Sequence, residues 1–316
     1  MAGYNEIRGL RVKYLSADPS NPEDGQVWYN STTGNLRVKG VAIAAFASAA
    51  ALPTGTSTYN RAGTMTAGLF AGGNTSTGFS TATYEWNGSG WTSGGAIGTA
   101  LYSNTGFGTQ TAGASAAGRP TNGSSGDTNA TFEYDGSSWT SVNAANLAAR
   151  TRQSFGIQTA AAMVGGFSQS GGSYTNATEE YDGTNWTTVT VMPAATASAN
   201  AIGTQTAAIV SLGGAPTVAT TYVAYDGTNW TSSPSANIAR ARSAAGGTGA
   251  TSTAGLVIGG TPYNPSVVAE TWDGTSWANS ASITTARYGA GVSDGNTNGI
   301  IAGGRTAPGF ETAVEE

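Results

Sequence analysis

The chain has 316 residues, of which only 10% are Asp, Glu, Lys or Arg, and its net charge is −5; an average soluble protein is about a quarter charged. It contains no histidine and no cysteine, which excludes disulfides, thiolate nucleophiles, Ser-His-Asp catalysis and the usual zinc sites. An acidic balance without a concentrated basic face excludes a nucleic-acid partner, and 39% hydrophobic residues with eight Trp exclude disorder.

Residues 1–40 form a compositionally separate piece. They hold five of the thirteen basic and four of the eighteen acidic residues, a balance of +1 that leaves −6 for the remainder. The opening residues show no apolar core of the kind a secretory leader carries, so none is expected. The longest apolar run, Val41 to Leu52, is mostly Ala and too short to span a bilayer, so no membrane insertion is expected. The Asn-X-Ser/Thr sites, Asn185-Trp-Thr among them, then read as turn residues of a protein made in a bacterial cytoplasm. Gln26-Val-Trp-Tyr-Asn30 and Asn35-Leu-Arg-Val38 flank Ser-Thr-Thr-Gly34 and predict a β-hairpin, with Val27 and Tyr29 on one face and Trp28 on the other. A lone hairpin is marginally stable in water. Val27, Trp28, Tyr29 and Leu36 are therefore the expected attachment residues, with Trp28 the main anchor. The stretch Gly25 to Gly40 resembles the short N-terminal module of tailed-phage tail fibres and related virion proteins. The resemblance implies that residues 1–40 dock on another virion protein or on copies of themselves, and that the rest faces outward at the virion surface.

Residues 41–316 are repetitive. A seven-residue motif occurs five times, as in Glu133-Tyr134-Asp135-Gly136-Ser137-Ser138-Trp139 and Glu180-Tyr181-Asp182-Gly183-Thr184-Asn185-Trp186. Its second tryptophans fall at 91, 139, 186, 230 and 277. Short apolar strands ending at Gly72-Gly73, Gly165-Gly166, Gly213-Gly214, Gly259-Gly260 and Gly303-Gly304 precede the motifs or follow the last one, with Ala117-Gly118 as a sixth, weaker copy. Each unit predicts four short strands; in the third these are Arg152–Gln158, Thr159–Gly165, Asn176–Tyr181 and Trp186–Pro193. Asp-Gly supplies the positive φ of a tight hairpin, and no segment has a helical period. Units of four strands at this spacing fit propeller blades. Arg, Gly-Gly, Glu-Tyr-Asp, Trp and Met-Pro in this order resemble the kelch repeat, which implies a kelch-like β-propeller. The tryptophans and glycines are expected to be structural, packing between neighbouring sheets.

The chain ends on Thr312-Ala-Val-Glu-Glu316, matching Asn176-Ala-Thr-Glu-Glu180, so the sixth unit lacks its fourth strand. Phe46 to Pro53 aligns with Trp186 to Pro193, with Phe46 at the Trp position. The expected fold is all-β: a six-bladed kelch-like propeller over 41–316, closed by a strand from residues 41–52 and preceded by a hairpin module over 1–40.

The chemistry is sparse. Asp135, Asp182, Asp226 and Asp273 sit on turns, one per unit, so a converging pair of carboxylates for glycoside hydrolysis is not expected. No calcium loop or phosphate loop is present. No catalytic residue, cofactor or metal is expected. Arg61, Arg152, Arg242 and Arg287 recur near the first strand of their units. They present two alternatives: a ring facing a ligand such as an acidic glycan, or internal bonds to carbonyls and acidic turns. The function expected is that of a phage virion structural protein, as a tail fibre, receptor-binding or decoration protein. The rivals are a lectin or enzyme acting on host-surface polysaccharide, and a bacterial kelch-like interaction protein.

Overall fold

The structure, a computed structural model, describes residues 12–19, 26–38, 45–57, 60–120, 126–212, 216, 218–237, 244–246, 252–260, 265–293, 299–306 and 309–316. Strands and turns make up the described residues, and no helix occurs among them. The chain divides into two compact units, Met1–Ala44 and Ala45–Glu316, a boundary four residues beyond the one expected at residue 40.

The first unit holds the expected hairpin, Val27–Asn30 with Asn35–Val38, in the register Trp28↔Arg37 and Tyr29↔Leu36. The turn is set by Asn30, whose Oδ1 accepts the N–H groups of Thr32 at 3.0 Å and Thr33 at 3.1 Å, and by Gly34 at φ +72°. A third strand, Lys13–Leu15, was not expected from the sequence; it pairs parallel to Val27–Asn30.

The second unit is a succession of antiparallel sheets. The first is built from Asn60–Thr64, Ala67–Ala71, Thr83–Trp86 and Trp91–Gly94, hydrogen-bonded in chain order. The second uses Thr105–Gly108, Gly113–Pro120, Thr128–Tyr134 and Trp139–Val142, with Leu101–Tyr102 as an extra short strand. The third is Gln153–Ile157, Ala160–Val164, Thr178–Tyr181 and Trp186–Val189, close to the strands predicted for that unit. Ala201–Thr204, Ala207–Ser211, Tyr222–Tyr225 and Trp230–Ser233 form the fourth, and Ala244–Gly246, Gly255–Ile258, Ala269–Trp272 and Trp277–Ser280 the fifth. The sixth takes Gly291–Ser293, Ile300–Ala302 and Val314–Glu315 from the C-terminus and completes them with Ser48–Ala49.

Local chemistry explains the strands' outer turn. Asp182 Oδ1 accepts the N–H groups of Thr184 at 2.8 Å and Asn185 at 2.7 Å, and Gly183 follows at φ +89°. Asp135, Asp226 and Asp273 do the same, and Asn87 does so in the first sheet. Hydrogen bonds from these N–H groups and neighbouring hydroxyls hold the Asp135 carboxyl down to about 2. Across each turn two rings meet: Trp86–Trp91, Tyr134–Trp139, Tyr181–Trp186, Tyr225–Trp230 and Trp272–Trp277, with centroids 4.6–5.3 Å apart.

The apolar core lies between sheets. Phe107 and Ala114 of the second meet Met163 and Tyr181 of the third. Phe155 and Val164 of the third meet Val210 and Tyr225 of the fourth. Ile209 and Tyr222 of the fourth meet Val257 and Trp272 of the fifth, and Ile258 of the fifth meets Ile301 of the sixth. Ile300 and Val314 of the sixth meet Phe70 and Trp86 of the first, and Leu69 of the first meets Tyr134 of the second. The order is cyclic. The first strands follow it too: each packs on the next, and Gly291–Ser293 returns to Asn60–Thr64.

Gly-Gly serves this succession. The second glycine donates its N–H to the segment entering the following sheet: Gly73 to Leu101, Gly118 to Ala149, Gly166 to Thr196, Gly260 to Arg287 and Gly304 to Thr56, at 2.7–3.0 Å. At Gly166, φ is +115° and an added Cβ would fall 2.5 Å from Arg152 Cγ, so no other residue fits without displacement.

Of the closing strand expected over 41–52, residues 41–44 lie outside the described residues, and the strand among the rest is Ser48–Ala49. Its pairing Val314↔Ala49 is extended by mutual bonds of Ala47 with Glu316, and by Leu52 N–H to Thr312 O, all at 2.8 Å. Phe46 packs in the cluster between the fifth and sixth sheets, where a tryptophan packs at other junctions. Losing the burial of Leu52 and the half-burial of Phe46 together costs about 3–5 kcal/mol, a large part of the stability of a domain. Deleting residues 1–54 should therefore give an aggregating or much lower-melting chain, whereas deleting residues 1–44 should leave the melting temperature of the second unit unchanged. Equal melting of the two truncations would refute the closure.

Candidate functional site

The arginines do not form an equivalent set. Arg61 lies inside its strand, Arg152 immediately before Gln153–Ile157, and Arg287 four residues before Gly291–Ser293. Arg242 falls outside the described residues. Arg152 is 2% exposed and Arg287 0%, so at these two positions the ligand-facing alternative is overturned in favour of internal bonds. Arg152 pairs with Glu179 at 2.9 Å and donates to the carbonyl of Met163 at 3.2 Å. Arg287 pairs with Glu315 and donates to the carbonyls of Gly303 and Ala313. Each glutamate also accepts main-chain N–H groups from the linker ahead of its sheet: Asn146 and Leu147 on Glu179, Thr284 on Glu315. Burial pushes the Arg152 guanidinium below its ordinary range, and the Glu179 carboxylate offsets this only in part. Arg61 is half-buried.

Three motif glutamates are engaged between sheets. Tyr134 donates to Glu85, Tyr181 to Glu133 at 2.9 Å and Tyr225 to Glu180 at 2.9 Å, each tyrosine reaching back one sheet. Burial, with the glutamate beside it, pushes each of these phenols up. Among the described residues no group of three His, Cys, Asp or Glu side chains is placed to hold a metal ion.

Two surfaces stand out. The first lies at the Gly-Gly end of the sheets, where the loops between second and third strands meet the linkers. Two small hairpins stand here, Asn74–Thr75 with Gly78–Phe79, and Phe167–Ser168 with Ser173–Tyr174. Phe79 stacks on Tyr102 with centroids 5.1 Å apart. Arg150 lies over Phe167 at 4.6 Å, tied by Asp127 at 2.8 Å, and Arg305 lies over Phe310 at 5.0 Å. Sequence reading missed these groups, although an aromatic residue within a few positions of Gly-Gly was a visible signal.

The second surface is on the first unit. Tyr14, Tyr29 and Leu36 are register partners across the three strands and so share one face. Tyr14 is 74% and Leu36 66% exposed, Val12 is exposed, and Val27 and Tyr29 are half-buried. Trp28, the expected anchor, is corrected: it is 6% exposed, and its Nε1–H donates to Asp18 at 2.8 Å. Asp18 also accepts Asn30 Nδ2 at 2.8 Å and lies 3.4 Å from Arg37. Those bonds hold its carboxyl below the usual range.

No family model matches the chain, and no curated protein matches it. It is similar to a solved structure described as "Structure of YjhT", 15% identical, covering 85% of this chain and 95% of that one, with a TM-score of 0.68. At that identity the likeness concerns the fold alone.

Removing one partner of a buried pair leaves an uncompensated charge, at a cost of about 3–5 kcal/mol. Arg152→Met should therefore destabilise the chain by about that much in chemical denaturation. The double variant Arg152→Met, Glu179→Gln should recover part of it, since the charge is gone and the amide oxygen can still accept one of the two linker N–H groups, which bond different carboxylate oxygens. No recovery would mean that the ion pair itself, not the orphaned charge, carries the effect.

Proposed function

We propose that this chain is a structural protein of a tailed-phage virion, in which Met1–Ala44 attaches to the particle and Ala45–Glu316 is a six-bladed kelch-like propeller carried at its surface. The observation that carries the attachment reading is the apolar face of the first unit. A sheet of three short strands cannot bury Tyr14 and Leu36 by itself, and large exposed apolar groups on so small a unit call for a partner surface. The propeller reading is supported by the cyclic order of packing, by the Gly-Gly bonds and by the likeness in fold. The carboxylates engaged between sheets support a binding role over a hydrolytic one. The aromatic and arginine groups at the Gly-Gly end offer contacts to host glycans or to neighbouring virion proteins.

The test is incorporation into particles. Leu36→Asp should fold, because Leu36 is exposed, and should be missing from purified virions. Trp28→Ala should instead unfold the small unit, seen as protease sensitivity of residues 1–44. Normal incorporation of Leu36→Asp, with loss of incorporation on changing Tyr174 or Arg305, would assign attachment to the second unit.

A further inference from the structure

The junction between the fourth and fifth sheets departs from those before it. At the three preceding junctions the later sheet's tyrosine bonds to the earlier sheet's glutamate. There a glutamine of the later sheet, Gln110, Gln158 or Gln205, also donates to two main-chain carbonyls of the earlier one. At the fourth junction all three groups are replaced. Ala224 stands where the glutamate would be, Trp272 where the tyrosine would be, and the stretch 247–254 that matches the glutamine turn contains no Gln. Trp272 turns its Nε1–H to the carbonyl of Ser252 at 2.7 Å, within its own sheet. A cleft of about 320 Å³ is left between the two sheets.

Its lining has a definite chemistry. Ala224 supplies carbon surface, and Ala208, Ile209 and Trp272, each almost wholly buried, lie behind it. Thr206, Ser232, Ser233 and Ser252 supply hydroxyls. Asp226 is the charged group of the lining, and no Lys or Arg lies among the described residues there. An anionic ligand would meet a carboxylate and no cation. A purely apolar one would leave the hydroxyls without partners. The volume is at the lower end for ligand sites, room for one ring rather than a chain. We propose that this cleft binds a single neutral sugar ring, its C–H face on Ala224 and its hydroxyls on the serine and threonine rim. The site does not depend on which particle carries the chain.

The experiment uses the full chain and saturation-transfer NMR with glucose, galactose and N-acetylglucosamine as probes and glucuronate as the charged control. At least one neutral sugar should receive saturable transfer, and glucuronate should not. The double variant Ala224→Glu, Trp272→Tyr rebuilds the bridge of the other junctions inside the cleft. It should weaken binding by at least about tenfold while melting no lower than the parent. If it does not fold, Ser232→Trp, at an exposed rim position, should give the same loss. Absence of transfer to all three sugars, undiminished binding in the folded variant, or equal binding of glucuronate would each overturn the proposal.

Discussion

Each sheet of the second unit is narrow and apolar on the faces it turns to its neighbours, and none can bury those faces alone. The stability of the unit therefore resides in the junctions, and the junctions run in a cycle. Phe70 and Trp86 of the first sheet need Ile300 and Val314 of the sixth, while the sixth needs Ser48–Ala49 from the other end of the chain to finish its pairing. That one antiparallel contact joins the two ends of the unit. Without it the outer edge of Val314–Glu315 presents unpaired backbone groups, a template for aggregation.

At the first three junctions, polar bonds register one sheet on the next. There the Glu–Tyr bonds, the glutamine bonds and the Gly-Gly bonds act together. Each contributes only about 0.5–1.5 kcal/mol net, or somewhat more where the acceptor is charged. Apolar burial supplies the larger share, and the polar bonds fix which relative placement of two sheets is populated. The same economy explains the alanines. Ala114, Ala116, Ala161 and Ala162 are fully buried, and small side chains let sheets approach until ring residues such as Phe107 and Tyr181 fill the gaps.

Much of this was legible in the sequence. The Asp-Gly turns, the four strands per unit and the place of Phe46 follow from local chemistry repeated at a fixed spacing. The arginines were not legible, because spacing to a landmark does not report which way a side chain points. Arg152 and Arg287 start from different backbone positions and reach glutamates at the same strand position, since a long side chain absorbs the offset. Trp28 misled for a related reason: a hairpin pattern separates two faces but does not say which one is covered. The additional strand Lys13–Leu15 and the acceptor Asp18 lie outside the hairpin, so the pattern could not reveal them.

The buried glutamates obey a rule that the repeat itself discloses. Two residues before the inner ring of the five motifs stands Glu179 or Glu270, or else Tyr84, Phe132 or Val223, and Glu315 takes the matching place in the sixth sheet. Where it is glutamate, the linker ahead offers an N–H group: Asn146 to Glu179, Asn237 to Glu270, Thr284 to Glu315, at 2.7–2.9 Å. Where it is Tyr84 or Val223, the matching linker residue is Pro53 or Pro193, and proline has no N–H to donate. At Phe132 the matching residue is Gly98, whose added Cβ would touch the phenyl ring at 3.5 Å. Carboxylate and donor thus occur together, and at two of the three apolar positions the linker residue is a proline with no N–H, whereas Gly98 keeps its N–H beside Phe132. A buried glutamate kept without its linker donor would have only an arginine to hold it, and a buried ion pair alone barely offsets its own desolvation. A proline in the linker, as at Pro53 and Pro193, therefore removes the donor that a buried glutamate at this position would need.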